Sequence, residues 1–424
     1  MYSPTDVSSS AAVALASALL GALAPSAAAQ NVGANTAASS LSAAYSYTGV
    51  LQSNVAGGRR RGTAFSGAAA LQFTLMLDRL VPWRGTELFV FLLDTHGGVP
   101  TDLVGSLQAV SGIEAPPGLR LEELWLQQNA FANRFSVLIG PYDLNTEFYR
   151  LQSAALFVHS SLGIGPEFAQ SGVAGPSTFP YTAVGARADF KPSANVVWRA
   201  AVLNGSPVDR PGGGARLFAR GDGALLVAEV AALDRPESAA TPRDRRFQIG
   251  RGMVRTYSRK VALGVWHYTA SFPDLADVLP NGDAVQHKGS SGAYLIADQS
   301  LWTAPRGGAR ALTAFAQLGL GDSRVNRVGR YVGGGLTLTD PLPRRAQDQV
   351  GLAGAVGLLG SHYKRTLVPA SSTVASETAL ELTYLAQLSG SLAVQADLEY
   401  VVSPGGSRTT RNALMPGLRI ALAR

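Results

Sequence analysis

The sequence has no cysteine, little charge and no long apolar run beyond its N-terminal region. Without cysteine, none of the 424 residues can form a disulfide, a thiolate nucleophile or a thiolate metal site. Charged residues make up only 15% of the chain, which is low for a soluble enzyme. No stretch after Gln30 has the 18 consecutive apolar residues of a transmembrane helix. Any membrane span in this chain would therefore consist of strands.

Histidine is also scarce. The five histidines show no metal-ligand spacing such as H-E-x-x-H, and the sequence therefore predicts neither a metal site nor a cofactor. They are His96, His159, His267, His287 and His362.

The N-terminus resembles an export signal. Ala11–Ala24 is an apolar run of the length of a signal-peptide core, and Ala27–Ala29 supplies the small residues of a cleavage site before Gln30. The preceding residues contain Asp6 and no Lys or Arg, which departs from the usual signal, and a buried apolar helix is the alternative. We predict a signal peptide over residues 1–29 and a single domain over residues 30–424.

The rest of the chain shows alternation of apolar and polar residues, which is typical of transmembrane strands of about 9–11 residues. Charges lie on one face of each segment and Leu, Val, Ala and Phe on the other. A soluble β-sandwich or β-helix would place more Lys and Glu on its solvent face. Eight segments show the pattern: Leu71–Asp78, Arg134–Ile139, Val184–Asp189, Leu312–Leu318, Val332–Thr339, Leu380–Tyr384, Leu392–Tyr400 and Leu414–Leu422.

Turn-forming residues separate these segments, and we count about seventeen candidate strands, the first at Tyr45–Ser53. Bacterial single-chain barrels have even strand numbers, so one of these predictions must be wrong. The weakest strand is Leu119–Gln128, where Glu122 and Glu123 interrupt the alternation. The predicted connections are Pro207–Gly214, Asp234–Asp244, Phe272–Gly289, Thr303–Gly308, Asp340–Asp348 and Ser403–Asn412. The predicted fold class is all-β, a transmembrane antiparallel β-barrel.

Several blocks, in order, resemble the carbohydrate-selective porin family of OprB type. The resemblance runs from about Tyr45 to Arg419. Two features depart from the family pattern: Pro141 occupies a position that usually holds Lys, and the chain ends on Arg424 rather than on an aromatic residue. The matching blocks are Asn54–Gly62, Val104–Ala115, Leu121–Gln128, Ile139–Phe148, Gly264–Thr269, Gly292–Gln299, Tyr331–Gly335, Glu381–Tyr384 and Val394–Tyr400.

The resemblance implies a barrel of sixteen strands in the bacterial outer membrane that lets glucose-like monosaccharides diffuse passively. It implies small carbohydrates and outer-membrane lipid as partners, no nucleic acid, and a monomer or homotrimer. Removal of Asp6 with the signal raises the net charge from +7 by one, and a basic lumen would favour anions. A general or anion-favouring porin is therefore an alternative. An outer-membrane barrel enzyme is a remote one, because it needs a Ser or Asp nucleophile beside a His base. Only His267 lies within a clearly predicted strand, and its neighbours Trp266 and Tyr268 are interpreted as interface residues.

The phase of the alternation places a set of polar side chains on the lumen face, as candidates for lining or constricting a pore. Solvated pore-wall residues without a specific role would show the same pattern. The candidates are Arg134, Arg187, Arg199, Glu229, Glu381, Asp397 and Glu399, together with Gln395 and Arg419. Trp125, Trp198 and Trp266 are interpreted as aromatic residues of the membrane interface, with Trp125 as a possible sugar contact.

The chain between Gly140 and Thr182 is far longer than a hairpin connection. It contains an apolar run, Ala154–Val158, that needs a surface to pack against. We expect an inserted loop at about residues 143–181 that folds into the barrel, with Leu156 and Phe157 packed on the wall. Asp143, Asn145 and Glu147 would then face inward arginines such as Arg134 and Arg187. An extracellular loop that only caps the barrel is the alternative.

Overall fold

A computed structural model describes residues 40–77, 82, 84–207, 221–235, 257–305, 310–367 and 373–423. The predicted signal peptide, residues 1–29, and Asp78 lie outside these ranges. The described chain forms one closed antiparallel barrel in which every strand pairs with its sequence neighbours and β1 pairs with β16. The predicted fold class is confirmed, and the strand number is sixteen.

The strands follow one another as a meander. Their bounds are β1 Leu41–Asn54, β2 Gly62–Met76, β3 Thr86–Gly97, β4 Gly118–Ala130, β5 Phe135–Tyr142, β6 Ala183–Ser193, β7 Val196–Asn204, β8 Ala224–Leu233, β9 Arg259–Val278, β10 Ala284–Thr303, β11 Ala311–Gly321, β12 Val328–Thr339, β13 Gln349–Leu359, β14 Ser376–Gln387, β15 Leu392–Val402 and β16 Ala413–Ala423.

Exposed and buried side chains alternate along the strands, and the exposed set is apolar. In β14, Leu380 and Leu382 are about half exposed while Glu381 between them is 1% exposed. In β15, Leu398 is exposed between the buried carboxylates of Asp397 and Glu399. Apolar side chains on the outside suit contact with lipid, and backbone groups that pair around a closed barrel leave no sheet edge in the hydrocarbon.

The two ends of the barrel differ. The connections at residues 131–134, 194–195 and 388–391 are short and lie at the end that also carries both chain ends of the barrel. We call this the turn end. The opposite, loop end carries the connections at residues 98–117, 143–182 and 322–327, and residues 360–367 after β13.

Helical structure in the described residues is confined to the connections. The α-helices are α1 Thr101–Val104, α2 Ser160–Gly163, α3 Pro166–Ala169 and α4 Ser361–Thr366. No helix of the described residues is long and apolar enough to span a membrane.

Two sequence predictions about strands change in the structure. The interruption at Glu122 and Glu123 is a β-bulge: Phe91 pairs with Glu123 and the next residue, Leu92, pairs with Leu121. The extra residue Glu122 lets two consecutive side chains be buried, so the strand continues although its alternation breaks. The connection predicted over Phe272–Gly289 is wrong, because β9 and β10 extend through most of it and leave only residues 279–283.

The tryptophans are also distributed between the outer and inner faces differently from the prediction. Trp198 is 58% exposed on the outer face near the turn end, where Trp302 is also about half exposed, as expected of interface aromatics. Trp125 and Trp266 are each 2% exposed and point inward. Their assignment to the membrane interface is wrong, because each lies one residue out of phase with the lipid face of its strand.

Candidate functional site in the barrel interior

The connection between β5 and β6, residues 143–182, lies against the inner face of the barrel wall. We call it the inward segment. Its peptide N–H groups are bound by carboxylates of three strands on that face. Tyr149 N donates to Glu229 Oε2 at 2.9 Å, Gln152 N and Ser153 N to Asp298 Oδ2 at 3.1 Å each, Val158 N to Glu381 Oε1 at 2.7 Å, and His159 N to Glu381 Oε2 at 3.0 Å.

Wall donors bind the carbonyl groups of the same segment. The contacts are Arg199 Nη1 to Glu147 O at 2.9 Å, Lys260 Nζ to Arg150 O at 2.9 Å, Gln395 Nε2 to Leu156 O at 2.9 Å, Arg419 Nη2 to Leu156 O at 2.7 Å, Tyr331 Oη to Ser161 O at 2.6 Å and Gln317 Nε2 to Leu162 O at 3.0 Å. Buried backbone groups need such partners, so the wall side chains fix the path of a segment that has little regular secondary structure of its own.

The apolar run of the inward segment packs on the opposite wall. Leu156 and Phe157 are 2% and 6% exposed and belong to the main apolar cluster. The Phe157 ring lies 5.6 Å from that of Phe315 on β11. A Cβ on Gly351 of β13 would lie 2.7 Å from Phe157 and 2.8 Å from Leu156, so only glycine leaves room for both side chains.

A chain of buried ionic contacts joins the inward segment to β6, β7, β8 and β9. Arg187 donates to both oxygens of Glu147, at 2.7 and 2.8 Å. Arg199 donates to both oxygens of Asp189, at 2.8 and 3.1 Å, and its Nη1 is 3.9 Å from Glu229. Lys260 Nζ lies 3.8 Å from Glu229 and completes the chain. Bidentate pairing fixes the two guanidinium planes, and charges of both signs alternate along the interior.

A second group of charges lines β14, β15 and β16. Glu381 pairs across strands with Glu399, and Thr383 with Asp397, so the three carboxylates are neighbours on the inner face. Glu399 accepts from Gln52 Nε2 at 3.0 Å. The two oxygens of Asp397 are buried beside Glu381, Thr383 and Glu399, and no N–H group of the described residues donates to them. Arg419 lies in the same region and donates to Gln395.

Trp125 contributes an aromatic face to the interior. Its indole stacks on Phe89 at a centroid distance of 4.8 Å and an interplanar angle of 24°. Trp125 Nε1 donates to Glu123 Oε2 at 3.1 Å, and the same oxygen accepts from Asp143 N at 3.3 Å. The indole is thereby held between the wall and the start of the inward segment.

The connection between β3 and β4, residues 98–117, also reaches the inner wall, which the sequence did not indicate. Glu377 of β14 accepts from Leu107 N and Gln108 N, both at 2.8 Å. Gln52 Nε2 of β1 donates to Val110 O at 3.1 Å. Glu377 and Asp298 are functional-site residues that sequence reasoning missed. The alternation of their strands indicates that both side chains point inward. It does not indicate that they bind backbone N–H groups of distant connections.

Three predicted contacts of the interior are wrong. Arg134 lies in the exposed turn before β5, where it donates to Lys191 O and Pro192 O at the turn end. Asp143 bonds neither of the two predicted arginines, Arg134 and Arg187, whose partners lie elsewhere; it accepts from Asn145 N at 2.7 Å and from Phe179 N at 3.0 Å. Asn145 donates to Phe148 O at 3.2 Å. Asp143 and Asn145 thus shape the inward segment itself, and of the predicted opposed pairs only Glu147 and Arg187 meet.

Comparison with known proteins gives consistent matches over nearly the whole barrel. The family model described as "Carbohydrate-selective porin, OprB family" matches residues 60–423. Porin B of Pseudomonas aeruginosa is 24% identical over 391 residues, which are 83% of this chain and 80% of that protein. The high-pH structure of Pseudomonas putida OprB is similar with a TM-score of 0.77 and 20% identity, over 91% of this chain and 94% of that one. The low-pH structure of the same protein matches with a TM-score of 0.55 and 14% identity, over 91% and 93% of the two chains.

Proposed function

Because the chain belongs to the carbohydrate-selective porin, OprB family, and is an outer-membrane carbohydrate porin rather than an enzyme, we propose that it passes glucose-like monosaccharides by passive diffusion between the inward segment and the wall. The observation that carries this proposal is an interior with charges of both signs. Paired cations and anions, such as Arg187 with Glu147 and Arg199 with Asp189, favour neutral polar solutes over ions of either sign.

The wall formed by β14, β15 and β16 is the proposed sugar-contact surface. Several interior carboxylates, including Glu229 and Glu381, already accept hydrogen bonds from the inward segment. Asp397 accepts none from that segment, and we propose that a sugar hydroxyl reaches its buried oxygens when the surrounding side chains move. A carboxylate that exchanges bonds with successive hydroxyls replaces part of the hydration shell of the sugar without retaining it, as passage requires.

The inward segment is the proposed constriction. A barrel of about 16–18 strands is wide enough to leave an aqueous channel, and a segment fixed to the wall by both its N–H and C=O groups would narrow it. Deletion of Ser160–Gly175 should give a clearly larger and less selective conductance. Unchanged conductance and sugar preference in a variant that still folds, judged by its shift on unheated gels, would reject the constriction.

Liposome swelling tests the substrate class. Liposomes that contain the purified protein should admit glucose-sized neutral sugars faster than disaccharides, and faster than charged solutes of matched size. Equal rates for all neutral solutes, combined with a preference for anions in planar bilayers, would favour a general or anion-favouring porin instead.

One barrel is the proposed conducting unit, in a monomer or a homotrimer alike. The closed wall and the segments that line its interior come from a single chain. Conductance per barrel should therefore be equal in monomers and in any trimers separated by native electrophoresis.

A further inference from the structure

A cluster of two histidines and two aspartates lies at the loop end, away from the charges of the interior. Asp274 and Asp277 belong to the end of β9, His287 to the start of β10 and His362 to α4. His287 Nε2 lies 2.7 Å from Asp274 Oδ2, and His362 Nδ1 lies 2.8 Å from Asp274 Oδ1. His362 Nδ1 is also 3.7 Å from Asp277 Oδ2. These residues come from three separate elements, so no linear spacing indicated the cluster.

The topology explains why they meet. Strands β9 and β10 have 20 residues each, more than any other strand, and their ends therefore extend beyond the neighbouring wall. The connection that carries α4 lies against this extension, past the ends of β11 and β12. Gly360 N donates to Arg327 O at 2.8 Å, and Leu275 N donates to Arg324 O at 3.0 Å. The connection at residues 322–327 therefore links the end of β9 to the residue that precedes α4.

We propose that Asp274, Asp277 and His362, assisted by His287, bind a divalent transition metal ion of the zinc class. One potential ligand atom from each of the first three residues lies within 4.8 Å of the others. Metal bonds of about 2.0–2.2 Å place neighbouring ligand atoms of a tetrahedral site about 3.3–3.6 Å apart. The separations of 2.8 and 3.7 Å around His362 Nδ1 bracket this range. Imidazole ligands select zinc, cobalt, nickel or copper over calcium or magnesium.

The groups around the two aspartates leave one oxygen of each carboxylate directed at His362. Arg365 pairs with Asp277 through Oδ1, whereas Oδ2 faces His362. Ala276 N and Asp277 N both donate to Asp274 Oδ1 at 2.8 Å and orient that carboxylate. The Asp274 side chain is only 1% exposed, while the two imidazoles are 18% and 19% exposed. An ion could therefore enter from the loop end and lose most of its water.

A bound ion would join α4 to the β9–β10 hairpin across two intervening strands. Binding replaces the imidazole hydrogen bonds to Asp274, so the histidines must give up those protons. The bound ion would hold α4 in place against the end of β9.

Cobalt tests the site directly. We would titrate untagged, folded protein in detergent with Co²⁺ and record its visible absorption, then measure Zn²⁺ binding by calorimetry and competition. We expect one ion per barrel, a tetrahedral cobalt spectrum, and binding at least tenfold weaker in His362→Ala and Asp277→Asn. Asp277→Asn is nearly isosteric, so it tests the site even if loss of the imidazole loosens α4.

The pair formed by His96 and Asp94, 3.0 Å apart on the outer face, is the matched control because it offers only one imidazole and one carboxylate. His96→Ala should bind both ions as the natural chain does. Absence of a tetrahedral cobalt spectrum would overturn the proposal, as would wild-type affinity in both Asp277→Asn and His362→Ala.

Discussion

Glu147 and Arg187 form a buried bidentate ion pair, with N–O distances of 2.7 and 2.8 Å, that joins the inward segment to β6. Both side chains are almost fully buried. The same guanidinium donates to Ser136 of β5 at 2.6 Å and to Gln127 of β4 at 2.8 Å. A single arginine thus connects three adjacent strands to the start of the proposed constriction.

Replacement of Arg187 by Ala should release the start of the inward segment. Loss of one member of a buried pair leaves an uncompensated charge and costs about 3–5 kcal/mol, an upper value here because Arg199 Nε also lies 3.9 Å from Glu147. We expect a lower urea midpoint of unfolding and a larger, noisier single-channel conductance. Arg134→Ala, in the exposed turn, is the control that should change neither. Wild-type conductance in a folded Arg187→Ala protein would show that the pair does not set the pore.

Asp397→Asn should weaken sugar binding without loss of the fold. The substitution is isosteric, and it removes the charge of one of three neighbouring buried carboxylates. Loss of a hydrogen bond worth about 1 kcal/mol corresponds to about fivefold weaker binding. Glucose-induced noise in single-channel currents measures that binding. Asp340→Asn, in the connection at residues 340–348 at the turn end, serves as the control. Equal glucose binding in both variants would remove Asp397 from the proposed contact surface.

Quenching by brominated lipid should separate the tryptophans by face. Trp198 and Trp302 are exposed on the outer surface, whereas Trp125 and Trp266 are buried inside. Substitution of either exposed tryptophan by Phe should reduce the fraction of fluorescence that the lipid quenches. Substitution of Trp125 or Trp266 should increase that fraction, because an unquenched emitter is removed. The opposite pattern would contradict the inward orientation of Trp125.

Glu114 should make the loop end sensitive to pH. Burial raises the pKa of Glu114 to about 7, against a smaller opposing effect of its contacts with Thr101. The folded protein therefore holds this proton more tightly than the unfolded chain does. Stability from this group is present below pH 4.5 and is lost as the pH rises through about 7.

Glu114→Gln cannot ionise, and it should remove this part of the pH dependence. Hydrogen exchange of residues 98–117 between pH 5 and 8, corrected for the intrinsic rate, measures the effect. Asp283→Asn, in the exposed connection at residues 279–283, is the control and should retain the wild-type profile. An identical profile in Glu114→Gln would show that another group is responsible.

The alternation of side chains was sufficient to predict the barrel and the inward phase of most candidate residues. A strand in lipid must place apolar side chains on one face, so the period of two is a direct consequence of the solvent on each side. Arg187, Arg199 and Asp397 therefore came out on the correct face. Arg134 did not, because phase alone cannot show where a strand ends and its turn begins.

The sequence by itself determined that the chain is a porin barrel with a long, partly apolar insertion after β5, since periodicity, composition and the ordered family blocks are local properties. Only the tertiary structure decided which charges meet. Glu381 and Val158, 223 residues apart, are joined by a hydrogen bond, and Asp274 meets His362 across 88 residues. Such contacts depend on the closure of the sheet and on the path of segments that cross its interior, and no local pattern encodes them. The sequence determines which face of the wall each side chain lies on, whereas closure of the barrel determines which residue it contacts.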